Sequence, residues 1–389
     1  MTNSSRSYDI IIAGAGCAGL SLAWYITKYT GKKFTILMLD VSFTPINNKT
    51  WCFWDDQFLP DPVQVYKSWD HLHFGSEHHQ VTELLKDHKY HCVRSGDYSE
   101  QLMNDLLKWD NIEWKESVIT NITDHLSYAE VFVPGEKIRG EYVFQSIYGK
   151  KFEDETSLKQ HFLGWEIELK TGKLEESAVT LMDFRTDQKD ATAFMYVLPY
   201  TRQKALVEYT LFSKNLLSDE EYEQEIKIYL QKNYGFSKDD YQITRIEKGI
   251  IPMVQQPSGN GVVGRVFEIG QLAGVSKPTT GYTFNRIHRI NELIAKALSE
   301  GVEPVVNNRS DARFRFYDLL LLDILVHRAE YSEEIFTSLF RSNKMDRILK
   351  FLDEKTTLIE EVGLLKTLPF KPFLQVLGKN RSKIIKMNF

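Results

Sequence analysis

Hydrophobic and polar positions change rhythm three times along this chain. Near the start the apolar residues come in unbroken runs. Residues 9–13 read as a buried parallel strand, a helix is expected from about Ala18, and 34–40 (FTILMLD) reads as a second strand. In the middle, 162–169 (FLGWEIEL), 192–201 (TAFMYVLPYT) and 204–213 (KALVEYTLFS) are rich in aromatic and β-branched residues and partly alternate, which predicts strands of a mixed sheet. Residues 218–235 open on Ser218 and an acidic first turn, which predicts a helix. From about residue 300 the period becomes helical, and a bundle packed against the core is expected.

Composition narrows the class. A chain of 389 residues suits two or three closely packed domains, and 42% apolar content is that of a globular protein. The net charge of −5 argues against a nucleic-acid partner, which would call for a basic stripe. Cys17, Cys52 and Cys92 show no CxxC spacing, as expected of a reducing, cytoplasmic setting. No secretory leader is read at the N-terminus. Residues 10–27 carry no charge, but Gly14, Gly16 and Gly19 split the run into strand and helix, so a transmembrane span is rejected.

Those glycines fit GxGxxG. The first permits a tight turn, the second lets a pyrophosphate approach the backbone, and the third lets helix and strand pack closely. The helix N-terminus then offers free N–H groups to phosphates. Asp40 ends the second strand 21 residues after Gly19, where an acid accepts ribose hydroxyls. The unit is therefore read as a dinucleotide site. Two further segments resemble FAD proteins of the p-hydroxybenzoate hydroxylase type. Arg94 precedes an amphipathic helix, as does an arginine that contacts the cofactor in those proteins. Residues 266–287 (VFEIGQLAGVSKPTTGYTFNRI) return as strand, Gly-rich loop and helix some 250 residues after the first turn, and carry Gly270, Gly274, Thr280 and Gly281. The acid usual after the glycine is Gln271 here, so a carboxylate contact to the ribityl chain is missing.

Candidate chemistry lies in two places. Trp51, Phe53 and Trp54 crowd into NNKTWCFWDD (47–56), either lining an apolar channel or sealing an interface between domains. The middle block carries Glu166, Asp183 and Glu208. A glutamate among Ala205, Leu206, Val207 and Leu211 is either paired with a base such as Arg185 or Arg202, or kept neutral by desolvation and able to donate a proton. Six histidines fall between His71 and His91, but no acid or cysteine completes a ligand spacing, so no metal site is expected. There is no GxSxG elbow. Residues 362–389 hold six basic residues, no acid, and interleaved Leu, Phe and Ile, a composition suited to an anionic membrane surface as well as to a solvated tail.

Taken in order, the glycine turn, NNKTWCFW, FLGWEIE, LMDFR, VLPYT with KALVEYT, and KPTTGYTF resemble the lycopene β-cyclases of the bacterial type, from about residue 8 to 290. The resemblance implies an α/β fold with a Rossmann-type FAD-binding domain (1–150, with an aromatic and His-rich insertion at 45–90), an inserted mixed-sheet substrate domain (151–261), a returning FAD segment (262–300) and a C-terminal helical region (301–389) that docks on membrane. It implies isomerisation of lycopene through γ-carotene to β-carotene, started by a proton, with reduced FAD beside the cation and NAD(P)H as reductant. Glu208 takes the place of the family's essential glutamate, and Trp165 joins the three clustered aromatics as substrate lining. The family's second acid at that motif is Tyr209 here, a departure from a paired carboxylate. An enzyme acting on so apolar a substrate is expected at the inner face of the cell membrane. A monooxygenase, epoxidase or isoprenoid reductase of the same fold, and a carotenoid carrier, are the competing readings.

Overall fold

The computed structural model describes residues 6–55, 57–147, 157–254, 264–306 and 310–379. The first part of the chain gives β1 (Ser7–Ala13), α1 (Cys17–Thr30), β2 (Ile36–Asp40), β3 (Thr50–Phe53), β4 (Lys67–Trp69), β5 (His71–Gly75), β6 (Gln80–Leu84), β7 (Tyr90–Arg94) and α2 (Ser95–Leu106). Next come β8 (Ile112–Glu116), β9 (Asn121–Asp124), β10 (Ala129–Val133) and β11 (Glu136–Gln145). The middle holds β12 (Lys159–Leu169), β13 (Ala178–Asp183), β14 (Thr192–Pro199), β15 (Lys204–Ser213), α3 (Asp219–Tyr234) and β16 (Tyr241–Pro252). After β17 (Val266–Glu268) the chain is helical: α4 (Phe284–Glu300), α5 (Ala312–His327), α6 (Ser332–Ser342), α7 (Met345–Leu352), α8 (Leu358–Leu365) and α9 (Phe370–Lys379).

The first sheet runs β8-β2-β1-β11-β10-β9, with β17 added beside β11. Its centre is parallel: Ile10 faces Ile36 on one side and Tyr142 on the other, and β17 pairs parallel with β11. Helices on one face and a second apolar cluster on the other bury Ile10, Ile11 and Ile12 completely, which is why this strand is an unbroken apolar run. The late strand β17 thus closes the same sheet that β1 opens.

The second sheet runs β16-β12-β15-β14-β13-β5-β6. Its alternating residues divide two cores. Leu163, Trp165, Val207 and Tyr209 face α3, whereas Leu206, Phe212 and Leu198 face α5, α6 and α7. Helix α3 is fixed by a capping box between Ser218 and Glu221 and ends at Gly235 in the left-handed conformation. Strands β5 and β6, read in the sequence as an insertion of the first unit, belong to this second sheet, so the segment 45–90 ties the units together in space. A small sheet, β3-β7-β4, lies where they meet. Its alternation turns Trp51 and Phe53 toward the cofactor-side core, and Cys52 and Trp54 toward the other.

Candidate active site

The glycine turn has the geometry that its spacing predicts. Gly14 has a φ of 105° and its N–H donates to Leu39 O at 2.8 Å. At Gly19 a Cβ would overlap the carbonyl oxygen of Gly14, so only glycine lets α1 start this close to the turn. Asp40 reaches the mouth of the turn, where its Oδ2 accepts from Ala15 N at 2.5 Å. The returning segment makes one 3-10 turn from Gly270 to Ala273, closed by Gly274, before Lys277–Thr283 leads into α4. Lys277 is buried and pairs with Asp318 of α5 at 3.0 Å and with Glu354 beyond α7 at 3.0 Å. Thr279 Oγ1 also donates to Asp318, and Arg286 pairs with Glu354. Buried charges therefore pin the loop to the C-terminal helices. Burial raises the carboxyl of Asp318 despite Lys277, whereas for Glu354 the burial is outweighed by Lys277 and Arg286, which hold it low.

Two buried oxygens in this loop region, Thr280 Oγ1 and Gln160 Oε1, have no hydrogen-bond partner among the described residues. Gln160 Oε1 lies where a Cβ on Gly281 would be, at 2.5 Å, and Gly281 has a φ of 70°. A narrow glycine cradle, two unpartnered polar atoms and a dipole-bearing helix start fit a dinucleotide with a polar ring edge. Gly14, Gly16, Gly19 and Asp40, with Gly270, Gly274, Thr280 and Gly281, could hold it. The Arg94 guanidinium pairs with Glu166 of the second sheet and lies over the Tyr66 ring at 4.1 Å and the Tyr200 ring at 5.5 Å.

A cavity of about 300 Å³ adjoins the loop, lined by Cys52, Phe53, Trp54, Tyr282 and Phe284 on its apolar side. Trp54 stacks on Tyr90 at 6.3 Å and meets Tyr282 edge-on at 4.7 Å. The hydroxyls of Tyr196 and Tyr282 each bond that of Tyr90 at 2.9 Å. Trp51 stacks on Phe284, as does Phe53 from 5.0 Å, so both pack into the core beside the first sheet, Phe53 also reaching the cavity wall. Trp165 does not line this space: it packs with Tyr222 and Ile226 on the α3 face of the sheet, opposite to Glu208.

The three acids singled out in the sequence are not brought together. Asp183 lies on the α3 side, bound by Arg185 at 2.6 and 2.9 Å and by the Tyr229 hydroxyl at 2.7 Å. Burial alone would raise its carboxyl, but these donors hold it below the usual range. Glu166 shares the face of Glu208 and meets Arg94, Lys204 at 2.9 Å and Arg245 at 3.1 Å. Burial opposes ionisation there too, and the three cations overcome it, so Glu166 is a fixed anion and no proton donor. Glu208 is different. It is 7% exposed, and its carboxyl has no hydrogen-bond or ion-pair partner among the described residues. Burial, then the charge of Glu247, push it well above the ordinary glutamate range, and Arg245 and Lys49 only partly oppose this. Cys52 connects it to the cavity, since Cys52 lines that space and its thiol meets Tyr196, the register partner of Glu208 on β14. The sequence reading did not find Glu247, Arg245 or the tyrosine trio. For Glu247 and Arg245 the only available signal was the strand character of 241–252, which gives no sign of which strand β16 joins.

A family model described as "Lycopene cyclase protein" matches residues 9–377. The chain is 21% identical over 389 residues to lycopene beta-cyclase of Pantoea ananas, covering 95% of this chain and 97% of that one. It is 26% identical over 331 residues to the chloroplastic neoxanthin synthase of Solanum lycopersicum, covering 77% of this chain but 62% of that one, so it spans less than two thirds of the plant protein. Solved structures share its fold. A flavoprotein/dehydrogenase from Cytophaga hutchinsonii has a TM-score of 0.63 at 12% identity, covering 97% of this chain and 100% of that one. A geranylgeranyl bacteriochlorophyll reductase-like protein from Thermoplasma acidophilum has a TM-score of 0.60 at 14% identity, with 98% of each covered. Because this family model spans nearly the whole chain, from the glycine turn through the acid-bearing sheet to the last helices, the chain belongs to the lycopene cyclase protein family.

Proposed function

We propose that the protein is a lycopene β-cyclase, which closes the linear ends of lycopene to β-ionone rings, through γ-carotene to β-carotene, without net redox change. The observation that carries this reading is Glu208: a buried carboxyl without a hydrogen-bond or ion-pair partner among the described residues, pushed well above the ordinary glutamate range by burial and Glu247, near a cavity with one aromatic wall. A hydrocarbon has no basic atom, so its protonation calls for a strong, dry acid and a site that tolerates a carbocation.

Glu208 donates its proton to the terminal double bond and a tertiary cation forms. The neighbouring double bond attacks it, closing a six-membered ring, and a ring proton is lost. Trp54, Tyr282 and Phe284 border this space and offer negative π density, worth about 2 kcal/mol per contact when water is excluded. At about 300 Å³ the cavity is at the small end for a ligand site, in keeping with one chain end entering at a time. The glycine turn, Asp40 and the Gly270–Gly281 segment would hold FAD, reduced at the expense of NAD(P)H. Reduced FAD bound by these residues would supply negative charge to favour a developing cation.

The substrate's solubility places the enzyme at a membrane. Among the described residues no helix is long and apolar enough to cross one. Helices α8 and α9 nevertheless present Leu358, Ile359, Val362, Phe370 and Leu374, each more than 60% exposed, with Lys366 and Lys371 also exposed. The acids of this stretch are turned inward, Glu360 to Lys350 and Glu361 to Arg313. Apolar side chains beside unopposed cations suit peripheral contact with the anionic inner face of the cell membrane.

Pigment analysis of lycopene-accumulating cells tests the activity. β-Carotene with the wild type and unchanged lycopene with Glu208→Gln is the expected result. Lycopene persisting beside folded, flavin-loaded wild type would instead favour a redox enzyme or a carrier. Cosedimentation with anionic vesicles, lost in a Leu358→Ser/Ile359→Ser/Phe370→Ser variant, tests the membrane contact.

A further inference from the structure

The face of the sheet that holds Glu208 contains a second buried carboxyl that the sequence motif does not supply. Tyr209, which stands where the family has another acid, points the other way and donates its hydroxyl to Asp187 O at 2.5 Å on the α3 side. The second acid is Glu247 of β16. Glu208 on β15 and Glu247 on β16 are both register partners of Gly164, on the strand between them. A Cβ at Gly164 would stand 2.5 Å from Cγ of Glu208, so the Glu208 side chain lies across the glycine in the direction of β16.

The two carboxyls have unequal support. Glu247 accepts from Thr50 N at 2.6 Å, from Thr50 Oγ1 at 2.8 Å and from Arg245 Nη1 at 2.8 Å, and is 2% exposed. Three donors, one of them a guanidinium, thus converge on the Glu247 carboxyl, and none on that of Glu208. Charged and titratable groups around the pair include Lys49 and Cys52 from the β3 segment, Tyr196 of β14, Tyr200 just after it, Glu166 of β12 with Arg94 and Lys204, and Arg245 of β16. Lys49 has its ammonium on Lys248 O, and Glu166 is neutralised by its three cations.

We propose that Glu247 is a positioning residue for Glu208: fixed as an anion by Thr50 and Arg245, it holds the carboxyl opposite in the uncharged, proton-bearing form. Two like charges across one glycine in a dry site repel, so one carboxyl of such a pair stays protonated, and the better-supported one carries the charge. The same repulsion favours return of a proton to Glu208 after each ring closure, when one proton has entered the hydrocarbon and one has left it. The catalytic consequence rests on the cyclase reading; the protonation itself does not.

Infrared difference titration of the full chain reads the protonation directly, through the C=O band of an uncharged carboxyl that vanishes in Glu208→Gln. In Glu247→Gln that band is expected to disappear at lower pH than in wild type. Cyclisation should be retained at acid pH and fall roughly tenfold for each pH unit by which the limb moves. Glu247→Asp, which restores the charge, should return both toward wild type. Should Glu247→Gln not fold, Lys49→Gln carries the test in the opposite sense, the band persisting to higher pH. An unmoved band in whichever variant folds overturns the proposal, as does loss of cyclisation at every pH in a folded Glu247→Gln, which would make Glu247 the donor. If Glu208→Gln cyclises like wild type, the donor assignment fails separately, and the band shift still decides the pairing.

Discussion

Glu166 and Glu208 sit on neighbouring strands, face the same side of one sheet, and are 2% and 7% exposed, yet their surroundings push the two carboxyls in opposite directions. Glu166 has Arg94, Lys204 and Arg245 within ion-pair distance; Glu208 has no such partner among the described residues. Burial disfavours the charge on both, and only where cations answer it does the carboxylate persist. Depth in the core thus says nothing about which acid donates a proton. The surrounding donors decide, and for Glu166 they come from β7, β15 and β16 rather than from its own strand.

The largest effect should appear in turnover. Glu208→Gln is isosteric and removes the transferable proton, so cyclisation is expected to fall by about 10²–10⁴-fold, the usual contribution of a positioned acid. Glu166→Gln should leave cyclisation per folded molecule within a few-fold of wild type. Equal losses in the two variants, measured as product per mole of folded protein, would erase the distinction drawn between them.

In stability the ranking reverses. Glu166→Gln strands three cations around an uncharged amide, and breaking buried pairs of this kind costs about 3–5 kcal/mol. A fall in the urea midpoint of Glu166→Gln, without one in Glu208→Gln, is the expected outcome. A midpoint unchanged by Glu166→Gln would mean that the cluster is solvated.

Gly164→Ala probes the space between the two acids. The added methyl would meet Cγ of Glu208 at 2.5 Å, so side chain or strand must move, at a cost of about 1–3 kcal/mol. Because the group displaced is the proposed donor, cyclisation should fall by more than the stability change explains. A folded Gly164→Ala with wild-type turnover would show that the placement of Glu208 over the glycine is immaterial.

Much of this was legible in the sequence. The GxGxxG turn, β1, β12, β14, β15 and α3 all form where apolar period and caps put them, because each depends on neighbours in sequence. Glu208 was picked out by its apolar flanks, a local signal. What stayed hidden is what crosses between segments. Arg94 reads as a cofactor contact, and only the structure shows β12 bringing Glu166 to it. Trp165 reads as lining until the pleat turns it to α3, and Glu247 is invisible until β16 pairs with β12. A one-residue change in register would exchange every one of those faces, and nothing in composition fixes it.

The smallest predicted effect concerns the stability of Glu208→Gln and depends on sign. A carboxyl whose native pKa is raised above its unfolded value binds more protons when folded. Its contribution is therefore complete below the unfolded pKa and is lost as pH rises through the folded one. Glu208 is such a group, raised by burial and by Glu247, so the wild type should weaken as pH climbs from the ordinary glutamate range toward and past neutrality. Glutamine has no proton to lose and keeps the same shape. Melting temperatures of wild type and Glu208→Gln should thus nearly coincide at acid pH and separate upward, with the variant higher by on the order of 1–2 °C at mildly alkaline pH. Glu166→Gln should show the opposite trend, its deficit growing from acid to neutral pH, because the native carboxylate it replaces has a lowered pKa. Parallel curves for the two variants would mean that both acids titrate alike, and the contrast between them would rest on geometry alone.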